Sequence, residues 1–125
     1  MIKVGILGTG FGMYHAEIYK RIDGYEVVAL YGRDEKKLKE IGEKLHIRTT
    51  TDMDEIIHHP DIDVVDICLP TPLHAEWAIK ALKNKKHVFC ETPVTYRLEE
   101  ALEMKKVAEE HRRHIFVDLS LRRIN

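Results

Sequence analysis

The sequence predicts an α/β fold, a doubly wound parallel sheet of about six strands. Two observations carry this. Strand-like apolar runs alternate with helix-like amphipathic stretches almost from end to end, and a strand that reaches the next one through a helix pairs with it in parallel. The second observation is a set of glycines, Gly8, Gly10 and Gly12, placed where the first strand gives way to the first helix.

The elements follow in order. Ile2–Leu7 is a short apolar run suited to a buried strand, and Phe11–Arg21 has helical periodicity. Glu26–Tyr31 is an apolar, β-branched second strand. Asp34 is a good N-cap for a helix over Lys36–Leu45, with Leu38, Ile41 and Leu45 at helical spacing. Ile47–Thr51 is short and β-branched, as an edge strand should be. Asp52, with Glu55 three residues on, reads as a capping box opening a brief helix over Asp52–His58. Ile62–Leu69 is the strongest strand, and Pro70 and Pro72 end it. Leu73–Asn84 is a helix carrying Trp77, Ile79 and Leu82, and His87–Cys90 is a fifth strand that stops before Pro93. Leu98–His111 is a charged amphipathic helix and Ile115–Leu119 a sixth strand. No linker, repeat or low-complexity segment interrupts the pattern, so residues 1–125 read as one domain.

Composition narrows the function. Hydrophobic residues make up 44% and charged residues 33%, the balance of a globular chain. With 20 basic and 21 acidic residues the net charge is -1, whereas nucleic-acid and membrane surfaces select a concentrated basic face. No run approaches the ~20 apolar residues that span a bilayer, and no export signal is visible. Cys68 and Cys90 sit inside apolar runs and read as small buried residues of a reduced, cytoplasmic protein. The adjacent His58 and His59 point apart, and His111 and His114 straddle a helix end. Neither spacing supplies the three or four ligands of a zinc site, so no metal is expected. Cys68, Cys90 and His74 fall toward one sheet edge, where a thiol–imidazole pair competes with plain core packing. His15 either faces the glycine loop or is a buried, hydrogen-bonded structural residue.

Ligands of such sheets bind at the carboxyl ends of the strands, near the point where the strand order reverses. Gly8-Thr9-Gly10-Phe11-Gly12-Met13 stands there, after a strand and at the start of a helix. That position suits a dinucleotide turn, with Gly8 for the bend and Gly10 for close approach of a pyrophosphate to the backbone. The third glycine comes one residue early, and Met13 fills the usual Gly or Ala position; either Met13 pushes the helix outward or Gly12 does the packing. The second strand ends in "VALYGRDEKK". An acid at its end would receive the ribose hydroxyls of NAD, and an arginine would accommodate the 2′-phosphate of NADP. Gly32 makes room there, Arg33 supplies a charged planar fork, and Asp34 falls to the helix cap. NADP is therefore expected over NAD.

The later segment "DICLPTPLHAEWAIKALKNKKHVFCETP" resembles the cofactor-binding half of the Gfo/Idh/MocA oxidoreductases. The likeness includes the glycine turn followed by His15, Pro70-Thr71-Pro72-x-His74, Ala81-Leu82, and His87-Val88-Phe89-Cys90-Glu91-x-Pro93. It implies a Rossmann fold with strand order 3-2-1-4-5-6. It further implies that Leu69, Pro70, Thr71 and His74 line the nicotinamide side of the cofactor, and that Glu91, Thr92 and Pro93 lie near the nicotinamide ribose. The family normally has Glu-Lys-Pro there, and Thr92 cannot replace the lysine as a cationic acid–base group. No catalytic residue is therefore assigned. Members continue into a second domain that binds a sugar or polyol, supplies a catalytic histidine or aspartate and builds the oligomer. That substrate domain has no counterpart in these 125 residues, and a surface it would cover is a candidate homodimer contact.

Overall fold

The structure is a computed structural model that describes residues 1–91, 95 and 97–118. Its strands are β1 (Ile2–Leu7), β2 (Tyr25–Tyr31), β3 (Arg48–Thr50), β4 (Val64–Ile67), β5 (His87–Glu91) and β6 (Ile115–Asp118). They form one sheet in the order β3-β2-β1-β4-β5-β6, every neighbouring pair parallel. The order reverses between β1 and β4, as expected of the doubly wound topology. The helices are α1 (Gly10–Arg21), α2 (Glu35–Leu45), α3 (Met53–Ile57), α4 (His74–Lys83) and α5 (Leu98–Glu110).

Two cores sandwich the sheet. On one face Val4, Ile6, Val27 and Leu30 pack against Ala16 of α1 and Leu38, Ile41 and Leu45 of α2. On the other, Leu7, Val65, Ile67 and Val88 pack against α3, α4 and α5 through Ile56, Ile57, Ala78, Leu82, Met104 and Val107. Each Leu, Ile or Val buried this fully contributes about 1.5–3 kcal/mol. Between Val4 and Gly5 the β1–β2 register slips, Val4 facing Val27 but Gly5 facing Ala29. The slip puts Val28 and Ala29 in succession against the same core, a local break in strand alternation.

Most element boundaries move by a residue or two, and the larger differences have local causes. β4 is shorter than Ile62–Leu69, although the backbone of Asp63 still links β1 and β5: its N–H donates to Lys3 O and its C=O accepts from His87 N. α4 begins after a 3₁₀ turn over Thr71–Leu73 that has Pro72 in its first turn. The capping box at Asp52 is half made. The Asp52 carboxylate accepts from Asp54 N at 2.9 Å, but the Asp52 N–H donates to Thr50 Oγ1 at 3.0 Å and not to Glu55. Leu119 lies outside the described residues.

Candidate functional site

A cleft of about 500 Å³ opens at the carboxyl ends of β1, β2 and β4. Of the residues read as site candidates, Gly8, Thr9, Gly10, Phe11, Gly32, Arg33, Leu69, Pro70 and His74 line it. Gly12, Met13, Thr71 and Glu91 do not, and Thr92 and Pro93 lie outside the described residues.

The turn after β1 is pinned from both sides. Gly8 N donates to Tyr31 O at 2.9 Å, and Cys68 N donates to Leu7 O at 2.8 Å. Gly8 has φ +116°, and a Cβ there would stand 2.5 Å from the Cys68 carbonyl oxygen, so no other residue fits. A Cβ on Gly12 would meet Ile6 Cγ2 at 3.0 Å. Gly12 therefore makes the close helix–strand contact, and Met13 packs into the α1/α2 core instead of displacing the helix. A Cβ on Gly10 would meet nothing within 4 Å. The protein's own packing gives no reason for a glycine at that position; a ligand approaching the backbone does.

The start of α1 suits an anion. Thr9 makes no side-chain cap, and the first turn carries no acid. Among the described residues each other α-helix has an acid in its first turn: Glu35 in α2, Asp54 and Glu55 in α3, Glu76 in α4, Glu99 and Glu100 in α5. The leading N–H groups of α1 thus keep their partial positive charge for a ligand.

At the end of β2, Gly32 serves the protein itself. A Cβ there would stand 2.3 Å from Thr9 Cγ2 and 2.9 Å from Leu38 Cδ2. The space expected for a phosphate is filled by these two side chains. Arg33 is exposed on the rim. The Asp34 carboxylate accepts from Lys36 N at 3.0 Å and Lys37 N at 3.2 Å, capping α2. None of the described residues lining the cleft is acidic.

Across the cleft, His74 is a strut. Its Nε2 donates to Leu69 O at 2.7 Å, which leaves Nδ1 to accept from Cys90 Sγ at 3.1 Å. Burial, then the nearby Asp66, pushes the Cys90 thiol up to about 12, so it is not a nucleophile. Cys68 does not join this pair: half-buried, it packs at the margin of the α1/α2 core, lines the cleft and lies 3.3 Å from His15 Nδ1.

Behind the cleft the structure gathers a polar cluster that sequence reading did not assemble. Asp66, fully buried, meets His15 Nδ1 through Oδ2 at 2.7 Å and accepts from the Tyr19 hydroxyl at 2.8 Å. Glu91 is also buried, and its Oε1 meets His15 Nε2 at 3.2 Å. Cys68 Sγ donates to Asp66 Oδ1 at 3.4 Å. The ligand atoms of His15, Asp66 and Cys68 lie within 4.8 Å of one another, at separations that hydrogen bonds account for. The sequence signal was an acid inside the apolar run "DVVDICLP", in step with Cys68 on one strand face.

A family model described as "Oxidoreductase family, NAD-binding Rossmann fold" (Gfo/Idh/MocA) matches residues 2–119. The chain belongs to this family. It is 38% identical to myo-inositol 2-dehydrogenase of Thermotoga maritima over 99 residues, covering 78% of this chain and 30% of that protein. The fold matches biliverdin reductase of Synechocystis sp. PCC 6803, solved with biliverdin and NADP+, at TM-score 0.88 and 26% identity, covering 94% of this chain and 37% of that one. It matches myo-inositol 2-dehydrogenase of Lactobacillus plantarum at TM-score 0.87 and 30% identity, covering 99% and 38%. The chain thus spans about a third of the length of the curated relatives it matches. It is the NAD(P)-binding Rossmann domain of a Gfo/Idh/MocA oxidoreductase. No helix among the described residues is long and apolar enough to cross a membrane.

Proposed function

We propose that this domain binds NADP in preference to NAD, as the cofactor half of an oxidoreductase acting on a sugar or polyol. The observation that carries the preference is the cleft wall at the end of β2, where Arg33 lines the cleft and none of the described lining residues is an acid that could receive ribose hydroxyls. Asp34, the nearest acid in sequence, is already committed to its helix. The open space over Gly10 and the uncapped start of α1 fit the pyrophosphate. Leu69, Pro70 and His74 line the cleft where the family resemblance puts the nicotinamide side, and the same resemblance assigns Thr71 to that side and the sequence Glu91-Thr92-Pro93 to the ribose. The substrate class follows the relatives named myo-inositol 2-dehydrogenase.

When bound, the nicotinamide supplies the hydride acceptor; the residues of this chain bind and orient it. Thr92 stands where the family has lysine, and a threonine cannot take the substrate proton as a cationic acid–base group. That substitution favours a second reading, a nucleotide-binding module without turnover. Calorimetric titration with NADP, NAD and their reduced forms tests the binding; no binding by millimolar concentration would refute it. Substrate-dependent NADPH formation with a sugar and polyol panel would eliminate the second reading. The buried free thiol of Cys90 favours a reducing, cytoplasmic setting. Exposed Phe116 and Val117 on the edge strand β6 favour a homodimer contact, which light scattering reads directly.

A further inference from the structure

We infer that His15 is a positioning residue that fixes the separation between the two halves of the dinucleotide cleft. The inference rests on the dinucleotide reading above. The helix that opens at the phosphate turn, α1, packs through Gly12 and Ala16 onto the core that β1, β2 and α2 share. Its ties across the switch point are different in kind. They are polar: His15 to Asp66 on β4 and to Glu91 at the end of β5, and Tyr19 to Asp66. The His15 ring also stands edge-on to Phe89 of β5, with centroids 6.1 Å apart and planes at 87°.

The imidazole is suited to this work. It is planar and stiff, it is 8% exposed, and its two nitrogens face carboxylates 0% and 4% exposed. Each contact needs a proton between nitrogen and oxygen, so two protons are shared over three groups and both sides are held at once. Truncating the ring would leave two buried carboxylates facing each other without a proton between them, and they would move apart. The strands that carry the nicotinamide side would then shift relative to the phosphate turn. A dinucleotide spans both halves and senses that shift. Adenosine 2′,5′-bisphosphate, which offers only the adenine half, touches the β1/β2 side and does not.

The test compares the two ligands by calorimetry on the full chain, alongside a thermal melt. In His15→Gln, NADP should bind about tenfold more weakly while adenosine 2′,5′-bisphosphate stays within about twofold of the unaltered protein. The variant Asp66→Asn keeps the ring and replaces the β4 carboxylate by a neutral amide of the same shape. It should retain NADP affinity to within about threefold, because the bridge is still hydrogen-bonded. If His15→Gln fails to fold, Asp66→Ala, which cuts the bridge on the β4 side, should show the same split between the ligands. Equal weakening of both ligands, or no weakening of either, would overturn the positioning role. An unaltered protein that binds neither ligand would instead overturn the dinucleotide reading.

Discussion

Gly10→Ala and Gly8→Ala separate a glycine needed by a ligand from one needed by the fold. At Gly10 a Cβ meets no atom within 4 Å and the residue opens α1. Alanine there should leave stability unchanged or raise it by about 0.4–1 kcal/mol, through the lost freedom of the unfolded chain. The added methyl occupies the space over which a pyrophosphate approaches the backbone, so NADP affinity should fall at least about tenfold, or roughly 1.4 kcal/mol. Gly8→Ala should do the reverse in stability. Its φ of +116° and the Cys68 carbonyl oxygen 2.5 Å from the new Cβ leave no relaxed conformation. A strained backbone residue costs about 1–3 kcal/mol before the clash is added, so a loss near 3 kcal/mol and a fall in Tm of roughly 10 °C are expected. Thermal melts and NADP titrations of both variants decide it. A Gly10→Ala protein with normal affinity would refute the argument that a ligand fills the open space, and one with a clear stability loss would refute the open space itself.

Other expectations follow from the rim and the buried groups. Arg33→Ala should weaken NADP by about tenfold or more, the value of a charge-assisted phosphate contact, and leave NAD nearly unchanged; equal losses would mean Arg33 does not read the 2′-phosphate. Asp34→Ala should cost about 1 kcal/mol of stability as a lost helix cap without altering the NADP:NAD ratio, measured by urea unfolding and titration. Iodoacetamide at pH 8.5 should modify Cys68 before Cys90, as read by mass spectrometry, and NADP should slow the Cys68 reaction because that residue lines the cleft. Burial in the fold pushes the Cys90 thiol up to about 12 from its ordinary 9.0. Its contribution to stability is therefore full below pH 9 and is lost as pH rises from 9 to 12. Cys90→Ala should make the alkaline decline shallower in melts taken across that range.

The strands, the helices and the glycine turn were legible because their signals are local: apolar period, caps such as Asp34, and glycines at a strand end. What escaped depends on neighbours far along the chain. Asp66 in an apolar run makes no sense until His15, 51 residues away, lies against it. Glu91 could be placed near the cofactor by resemblance, yet its contact with His15 spans 76 residues. Cys68 and Cys90 looked alike in sequence. Cys68 directly follows β4 and Cys90 lies in β5 opposite Ile67, so they turn to opposite faces, Cys68 toward His15 and Cys90 toward His74. The capping box failed for a similarly small reason: Thr50 reached the Asp52 N–H first.

The three glycines that open the chain show why spacing alone could not divide their duties. Gly8 is explained by the Cys68 carbonyl, Gly12 by the Ile6 side chain, and both are atoms of this protein. Gly10 is explained by no atom of this protein within 4 Å. A glycine costs about 0.5–1 kcal/mol of folding stability in a helix relative to alanine, and at Gly8 and Gly12 contacts inside the fold require that cost. At Gly10 only a bound group could require it. Of the three glycines only Gly10, whose surroundings are empty, speaks for a ligand at this turn, and the early position of Gly12 does not weaken it.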